Sequence, residues 1–226
     1  MKNLFYLFAA VFIAGCAPSR FVEPLNKGEL SVGGNFGGPC IEFGGAPIPI
    51  PMTAIEVGYG VDSTFTVYGG WHTTAAFFGN LQFDIGGTWQ FLQQKKYVPN
   101  LSASMAANFI YSFEEQEGRM WPVLDVNAFW NYGKRNNYWY VGFNNYFETM
   151  RYMEHNVDQK YHWLFAPQLG HVVKGKKHPW RFTTEVKFLA PWIDNTYAFV
   201  PYKSLFGKWG STGVYLGFSY PIQLKK

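Results

Sequence analysis

The sequence predicts an all-β fold: a closed antiparallel up-and-down transmembrane β-barrel of roughly ten strands, within a range of about 8 to 12. Three observations carry that expectation. Side chains alternate with a period of two through most of the chain, the alternating segments come to an even number, and the gaps between them are long and short in turn. The 226 residues suffice for one large domain, and no shift in composition divides them. Aromatic residues make up 20% and charged residues 15%, with 24 glycines and a mean hydropathy of -0.13. A helical membrane protein is far more apolar and a disordered chain far more charged, which leaves a strand-forming protein rich in aromatic residues and glycine. The net charge of +4 falls mostly in turns and gives no reason to expect a nucleic-acid partner.

The chain starts MKNLFYLFAAVFIAGCAPSR. One lysine precedes an apolar run from Leu4 to Ala14, which is too short to span a bilayer permanently and is flanked as a secretory signal is. Ile13, Ala14, Gly15 and Cys16 resemble the bacterial lipobox, and that resemblance implies cleavage before Cys16 and a lipid on it. Residues 1–15 are therefore expected to be a lipoprotein signal peptide, 16–27 a periplasmic tether and 28–226 the barrel. With Cys16 acylated, Cys40 has no intramolecular partner; no histidine lies near it in sequence, so it is read as a structural residue.

Strands are placed in order at 28–37, 52–60, 63–72, 80–92, 99–113, 120–132, 137–149, 160–173, 179–190 and 211–222. Each is near the ~10 residues that a tilted strand needs to cross a bilayer. The first two, GELSVGGNFG and MTAIEVGYG, alternate but are rich in glycine. From the third onward the two faces separate. Phe65, Val67 and Trp71 stand opposite Thr66, Tyr68 and His72, and Leu81, Phe83 and Ile85 opposite Gln82, Asp84 and Thr88. Met105, Ala107 and Phe109 oppose Asn108, while Leu124, Val126 and Trp130 oppose Asp125 and Asn127. Trp139, Val141 and Phe143 oppose Asn144, and Trp163, Phe165 and Leu169 oppose His162 and Gln168. Phe182, Val186 and Phe188 oppose Arg181, Glu185 and Lys187, and Val214, Leu216 and Phe218 close the series.

Alternation alone does not say which face is inside. The polar face decides it, because charges and amides in this number cost several kcal/mol each in an apolar core unless paired. In a lumen they pair with one another and hold water. The apolar face is therefore expected to meet lipid, with Tyr68, Tyr138, Tyr140, Tyr146 and Tyr215 pointing inward and Trp71, Trp121, Trp130, Tyr132, Trp192 and Tyr220 among the girdle residues at strand ends. The gaps agree: VD, QQKKYV, GKRN and KGKKH are short, and all but one of those between them are long. Short periplasmic turns and long outer loops, with both ends of the barrel on the inner side, are the habit of outer-membrane barrels.

With these residues in view, the chain resembles the small outer-membrane β-barrels of Gram-negative bacteria. Its glycine-rich strands and the closing VYLGFSYPIQL are similar to those of barrels from the Bacteroidota, although it ends in QLKK rather than in an aromatic residue. The resemblance implies outer-membrane lipid around the barrel and an anchor at Cys16 in the periplasmic leaflet, since APSR lacks the acidic run of surface-exported lipoproteins.

Motifs for chemistry are few. No phosphate loop, metal-ligand spacing, nucleophile elbow or dinucleotide fingerprint is present, so no cofactor and no metal are expected. Asp84, Asp125, Arg181, Glu185, Lys187 and His72 are expected to form a lumenal polar network that satisfies itself and closes the pore. A structural or interaction role follows, as an accessory subunit of a larger outer-membrane complex. Two alternatives remain open: a lipid-modifying enzyme using His72 with an acid such as Asp84, and a barrel that binds a ligand or passes a small solute.

Overall fold

The structure, a computed structural model, describes residues 17–152, 158–196, 198 and 200–224. Cys16 and the expected signal peptide lie outside the described residues. The elements are β1 (Glu29–Phe43), β2 (Ala46–Pro49), β3 (Thr53–Gly60), β4 (Phe65–Trp71), the short helix α1 (Thr73–Phe77), β5 (Asn80–Leu92), β6 (Asn100–Ser112), β7 (Glu117–Tyr132), β8 (Asn137–Phe147), β9 (Trp163–Lys174), β10 (Arg181–Asp194) and β11 (Trp209–Gln223).

Ten strands form the wall, each antiparallel to the next, in the order β1, β3, β4 and onward to β11. Pairing of β11 with β1, from Glu29↔Gln223 to Pro39↔Gly213, closes the ring. The eleventh strand, β2, stands outside that ring and pairs with the far end of β1.

Alternation now has a direction. Ile85 and Met105 on the outer surface are 61% and 68% exposed, whereas Glu185 and Lys187 on the inner surface are 1% and 2% exposed. Phe182 is exposed and Val186 and Phe188 are half-buried, all on the outer face. A water-soluble barrel requires the reverse, so this is the wall of a membrane-spanning barrel. Neighbouring strands also pack aromatic rings across the outer face: Phe83 stacks on Phe109 at 5.1 Å, and Phe143 on Phe165 at 5.0 Å. His171 is on this face too, stacked on Trp139 at 3.9 Å, with Nε2 2.6 Å from the Tyr132 hydroxyl.

The strand ends at Glu29 and Gln223 mark one rim, where the connections are 61–64, 93–99, 133–136 and 175–180. The far rim carries the β1–β2 hairpin, 72–79, 113–116, 148–162 and 195–208. The 195–208 loop folds over the hairpin: Lys203 N donates to Cys40 O at 2.8 Å, Glu42 N donates to Pro201 O at 3.1 Å, and Lys203 pairs with Glu42.

Four sequence expectations change. GPCIEFGGAPIPIP, read as a loop, instead continues β1 and returns as β2 through Gly44 and Gly45 at φ +60° and +84°. Those left-handed angles are what a two-residue hairpin turn demands. The alternating prolines hid a strand that lies at an edge, where missing donors are tolerated. Trp121, expected in a girdle, turns inward, is 0% exposed, and donates from Nε1 to Glu148 Oε2 at 2.7 Å. His162, expected in the lumen, precedes β9 and stays exposed at the far rim with Nδ1 3.1 Å from Glu148 O. The fourth concerns residues 17–27: they run inside the barrel.

Candidate functional site: the lumen and the segment within it

From the rim inward, the segment that precedes β1 climbs the lumen against the chain direction. Gly28 N donates to Gly60 O at 2.8 Å and Leu25 N to Thr66 Oγ1 at 2.8 Å, both near the rim. Next, Glu23 Oε2 pairs with Lys174 at 2.5 Å and Arg181 at 3.5 Å, while its Oε1 accepts from Asn131 Nδ2 at 3.0 Å. Val22 O accepts from Ser102 Oγ at 2.7 Å. Deeper still, Arg20 Nη2 reaches Asp84 Oδ2 at 2.9 Å and Nη1 lies 3.8 Å from Glu56 Oε2. Ser19 N donates to the Glu185 carboxylate at 3.1 and 3.2 Å, and Lys187 Nζ donates to Ala17 O at 3.0 Å.

Local chemistry keeps this stretch extended. Pro18 and Pro24 fix φ and carry no amide hydrogen, which discourages helix and leaves fewer donors to satisfy. Between them Phe21 takes φ +50°, a left-handed angle that costs a bulky residue of order 1–3 kcal/mol and persists only where packing enforces it. Its ring lies 5.8 Å from that of Tyr68 and against Gly58.

The wall is cut to fit. A Cβ on Gly58 would overlap the Phe21 ring, one on Gly60 the Asn26 carbonyl, and one on Gly70 the Arg20 guanidinium. All three glycines point inward on the adjacent strands β3 and β4. On the other side of the lumen Tyr138, Tyr140, Phe129 and Val172 form an apolar cluster with Val22 of the segment.

The predicted network residues all lie on lumenal positions, but they do not contact one another as a single set. Asp84 holds His72 Nε2 at 2.8 Å and Arg20. Glu185 accepts from Tyr140 Oη at 2.5 Å and has Lys187 at 3.5 Å. Arg181 pairs with Glu23 and lies 3.8 Å from Glu29. Asp125 stands apart and accepts from Asn144 Nδ2 at 2.6 Å. Arg20 and Glu23 provide the missing charges, and sequence reading passed them over as tether. Glu56 and Tyr140 were also left out of that set. The available signal was the run of inward glycines at 58, 60 and 70, whose space needs an occupant.

A cavity of about 40 Å³ remains beside the segment, bordered by Ser19, Glu56, Tyr140, Arg181, Thr183 and Ser219. That is room for a water molecule or two among polar groups. His72 and Asp84 are both buried and face the lumen, away from acyl chains, with Arg20 on the carboxylate. Among the described residues no three His, Cys, Asp or Glu side chains are grouped to hold a metal ion.

No family model matches the chain, and no curated protein does. Among solved structures it is similar to the NanC porin in a rhombohedral crystal form, at 11% identity and a TM-score of 0.43, over 84% of this chain and 98% of that one. It is similar to the KdgM porin at 10% identity and a TM-score of 0.38, over 85% and 98%. The translocator domain of the autotransporter NalP from Neisseria meningitidis is similar at 9% identity and a TM-score of 0.36, over 97% and 94%.

Proposed function

We propose that this chain is an outer-membrane β-barrel stoppered by its own residues 17–27, with a structural or interaction role as an accessory subunit of a larger membrane complex. One observation carries the reading: the atoms nearest to the Cβ positions of Gly58, Gly60 and Gly70, inward on β3 and β4, all belong to the segment. A barrel that conducts continuously has no use for so close a fit. The far rim supports the interaction role, since Phe77 and Phe78 at the end of α1 and Leu205 in the 195–208 loop are exposed there.

The lipid anchor at Cys16 belongs to a second arrangement of the same chain. Ala17 lies beside Lys187, well inside the lumen, where acyl chains would meet charged and amide groups. An acylated Cys16 in the periplasmic leaflet therefore requires residues 17–27 to withdraw and hang below the barrel as a tether. A solute path would then open through a lumen lined by Asn127, Gln168, Asp84 and Glu185, so gated passage is the alternative function.

Conductance in planar bilayers tests the first reading. The chain starting at residue 17 is expected to be silent, and the same barrel lacking residues 17–25 to conduct in steps. Sustained conductance from the longer form would overturn the stopper. Palmitate labelling of the wild type against Cys16→Ser tests the anchor, with label expected on the wild type alone.

A further inference from the structure

We infer that Asp84, Glu56 and His72 form a receptor for a guanidinium-bearing solute, and that Arg20 is the chain's own occupant of it. The inference rests on the stopper reading, since the receptor is free only when the segment has left.

Gly70 of β4 pairs with Glu56 of β3 on one side and with Asp84 of β5 on the other. The two carboxylates thus flank a glycine across two strand spacings, a Cα separation of roughly 10 Å. A planar guanidinium with five donors reaches both groups from between them, as Arg20 does with Nη2 2.9 Å from Asp84 and Nη1 3.8 Å from Glu56. His72 Nε2 holds Asp84 Oδ2 in place at 2.8 Å, and the absent Cβ of Gly70 leaves the slot that the guanidinium enters.

Arg20 fills the slot imperfectly. Its side chain is 5% exposed and its charge lies beside both carboxylates, yet neither Nη makes an aligned hydrogen bond. Asp84 Oδ1 is likewise unpartnered although the side chain is 8% exposed. Two residues along β1 from Gly33, whose Cβ position is 3.1 Å from Glu56 Oε1, Asn35 is also buried with neither amide atom paired. A tethered side chain satisfies the charge but not the directional bonds. A free guanidinium can rotate to meet Asp84 side-on, the bidentate geometry that carboxylates favour. When Arg20 leaves with the segment, Glu56 and Asp84 face the opened lumen as two neighbouring acidic groups without a cation, an arrangement that draws one in.

Two measurements decide the matter. In the intact chain Arg20→Ala vacates the slot while the rest of the segment stays. Its thermal midpoint is expected to fall and to recover with millimolar methylguanidinium, but not with methylammonium or sodium chloride at equal ionic strength, and not when Asp84→Asn is added. Equal recovery with all three salts, or recovery with none, overturns the receptor. In the barrel lacking residues 17–25, conductance is expected to favour cations and to be blocked by L-arginine, with block weakened about tenfold or more by Asp84→Asn. Silence of that barrel defeats the stopper reading itself. Conductance that arginine leaves unchanged defeats the receptor alone.

Discussion

In two regions of the wall inward glycines serve different neighbours. In β8 and β9, a Cβ on Gly142 would overlap the Asn127 amide and one on Gly170 the Tyr140 ring, so these glycines accommodate side chains of the wall itself. In β3 and β4, Gly58, Gly60 and Gly70 accommodate residues 21, 26 and 20, which belong to no strand. Glycine at an inward position therefore marks a thick neighbour. Whether that neighbour is part of the barrel separates a stability site from a gating site.

Glu185 joins the two regions and is where the comparison breaks most severely. It accepts from Tyr140 of the wall and from Ser19 of the segment, and it balances Lys187. Glu185→Ala leaves Lys187 as a buried cation held by the Ala17 carbonyl and the Tyr215 ring, with its paired carboxylate gone. Removal of one member of such a pair is expected to cost about 3–5 kcal/mol, read from denaturant unfolding in detergent. A loss confined to a fraction of a kcal/mol would show that the lumen is wet enough to hydrate both charges.

Leucine substitutions separate the regions directly. Gly170→Leu has nowhere to go, because the Tyr140 ring is fixed by its bond to Glu185, and overpacking is expected to cost the barrel about 1–3 kcal/mol. Gly70→Leu meets Arg20, which can leave. The expected result is a barrel that conducts in planar bilayers and loses less stability than Gly170→Leu does. If both variants lose stability alike and neither conducts, the segment is as much a part of the wall as Tyr140 is.

The strands were legible because lipid and lumen enforce a period of two; the outward set from Phe65 to Phe218 lies outward in the structure. The occupant of the lumen was not legible. Arg20 and Glu23 stand in a stretch that has no alternation, since a segment threading a barrel has contacts all round and no face to mark. Trp121 was misplaced because position near a strand end says nothing of side, and its bond to Glu148 depends on a residue 27 positions away. His72 Nε2 and Asp84 Oδ2 lie 2.8 Å apart, but their third partner, Arg20, stands outside every strand.

A smaller effect is expected at Tyr68, whose hydroxyl is 2.5 Å from Ser104 Oγ and whose ring supports Phe21. Tyr68→Phe keeps the ring and orphans the serine, a change of about 1 kcal/mol in unfolding. Phe21 stays supported, so conductance should remain absent. Conductance in this variant would mean that the hydroxyl bond, rather than ring packing, holds the segment in place.

The smallest effect belongs to the turn that sets the glycine wall in register. Asp62 accepts from Thr64 N at 2.6 Å, Thr64 Oγ1 at 2.8 Å and Phe65 N at 2.9 Å, an Asx-type closure between β3 and β4. The amide and then the hydroxyl of Thr64 hold its carboxyl below the ordinary value of 3.8. Because the folded value is depressed, this contribution is complete above the unfolded pKa and is lost as pH falls through the folded one. Amide exchange of Thr64 and Phe65 should therefore quicken in acid below that ordinary value and be steady at neutral pH. Asp62→Asn keeps an acceptor but cannot titrate, so its exchange should lack the acid step. The GKRN turn between β7 and β8 has no carboxylate and gives the control: if its amides loosen over the same acid range, the whole rim is opening rather than the Asp62 closure.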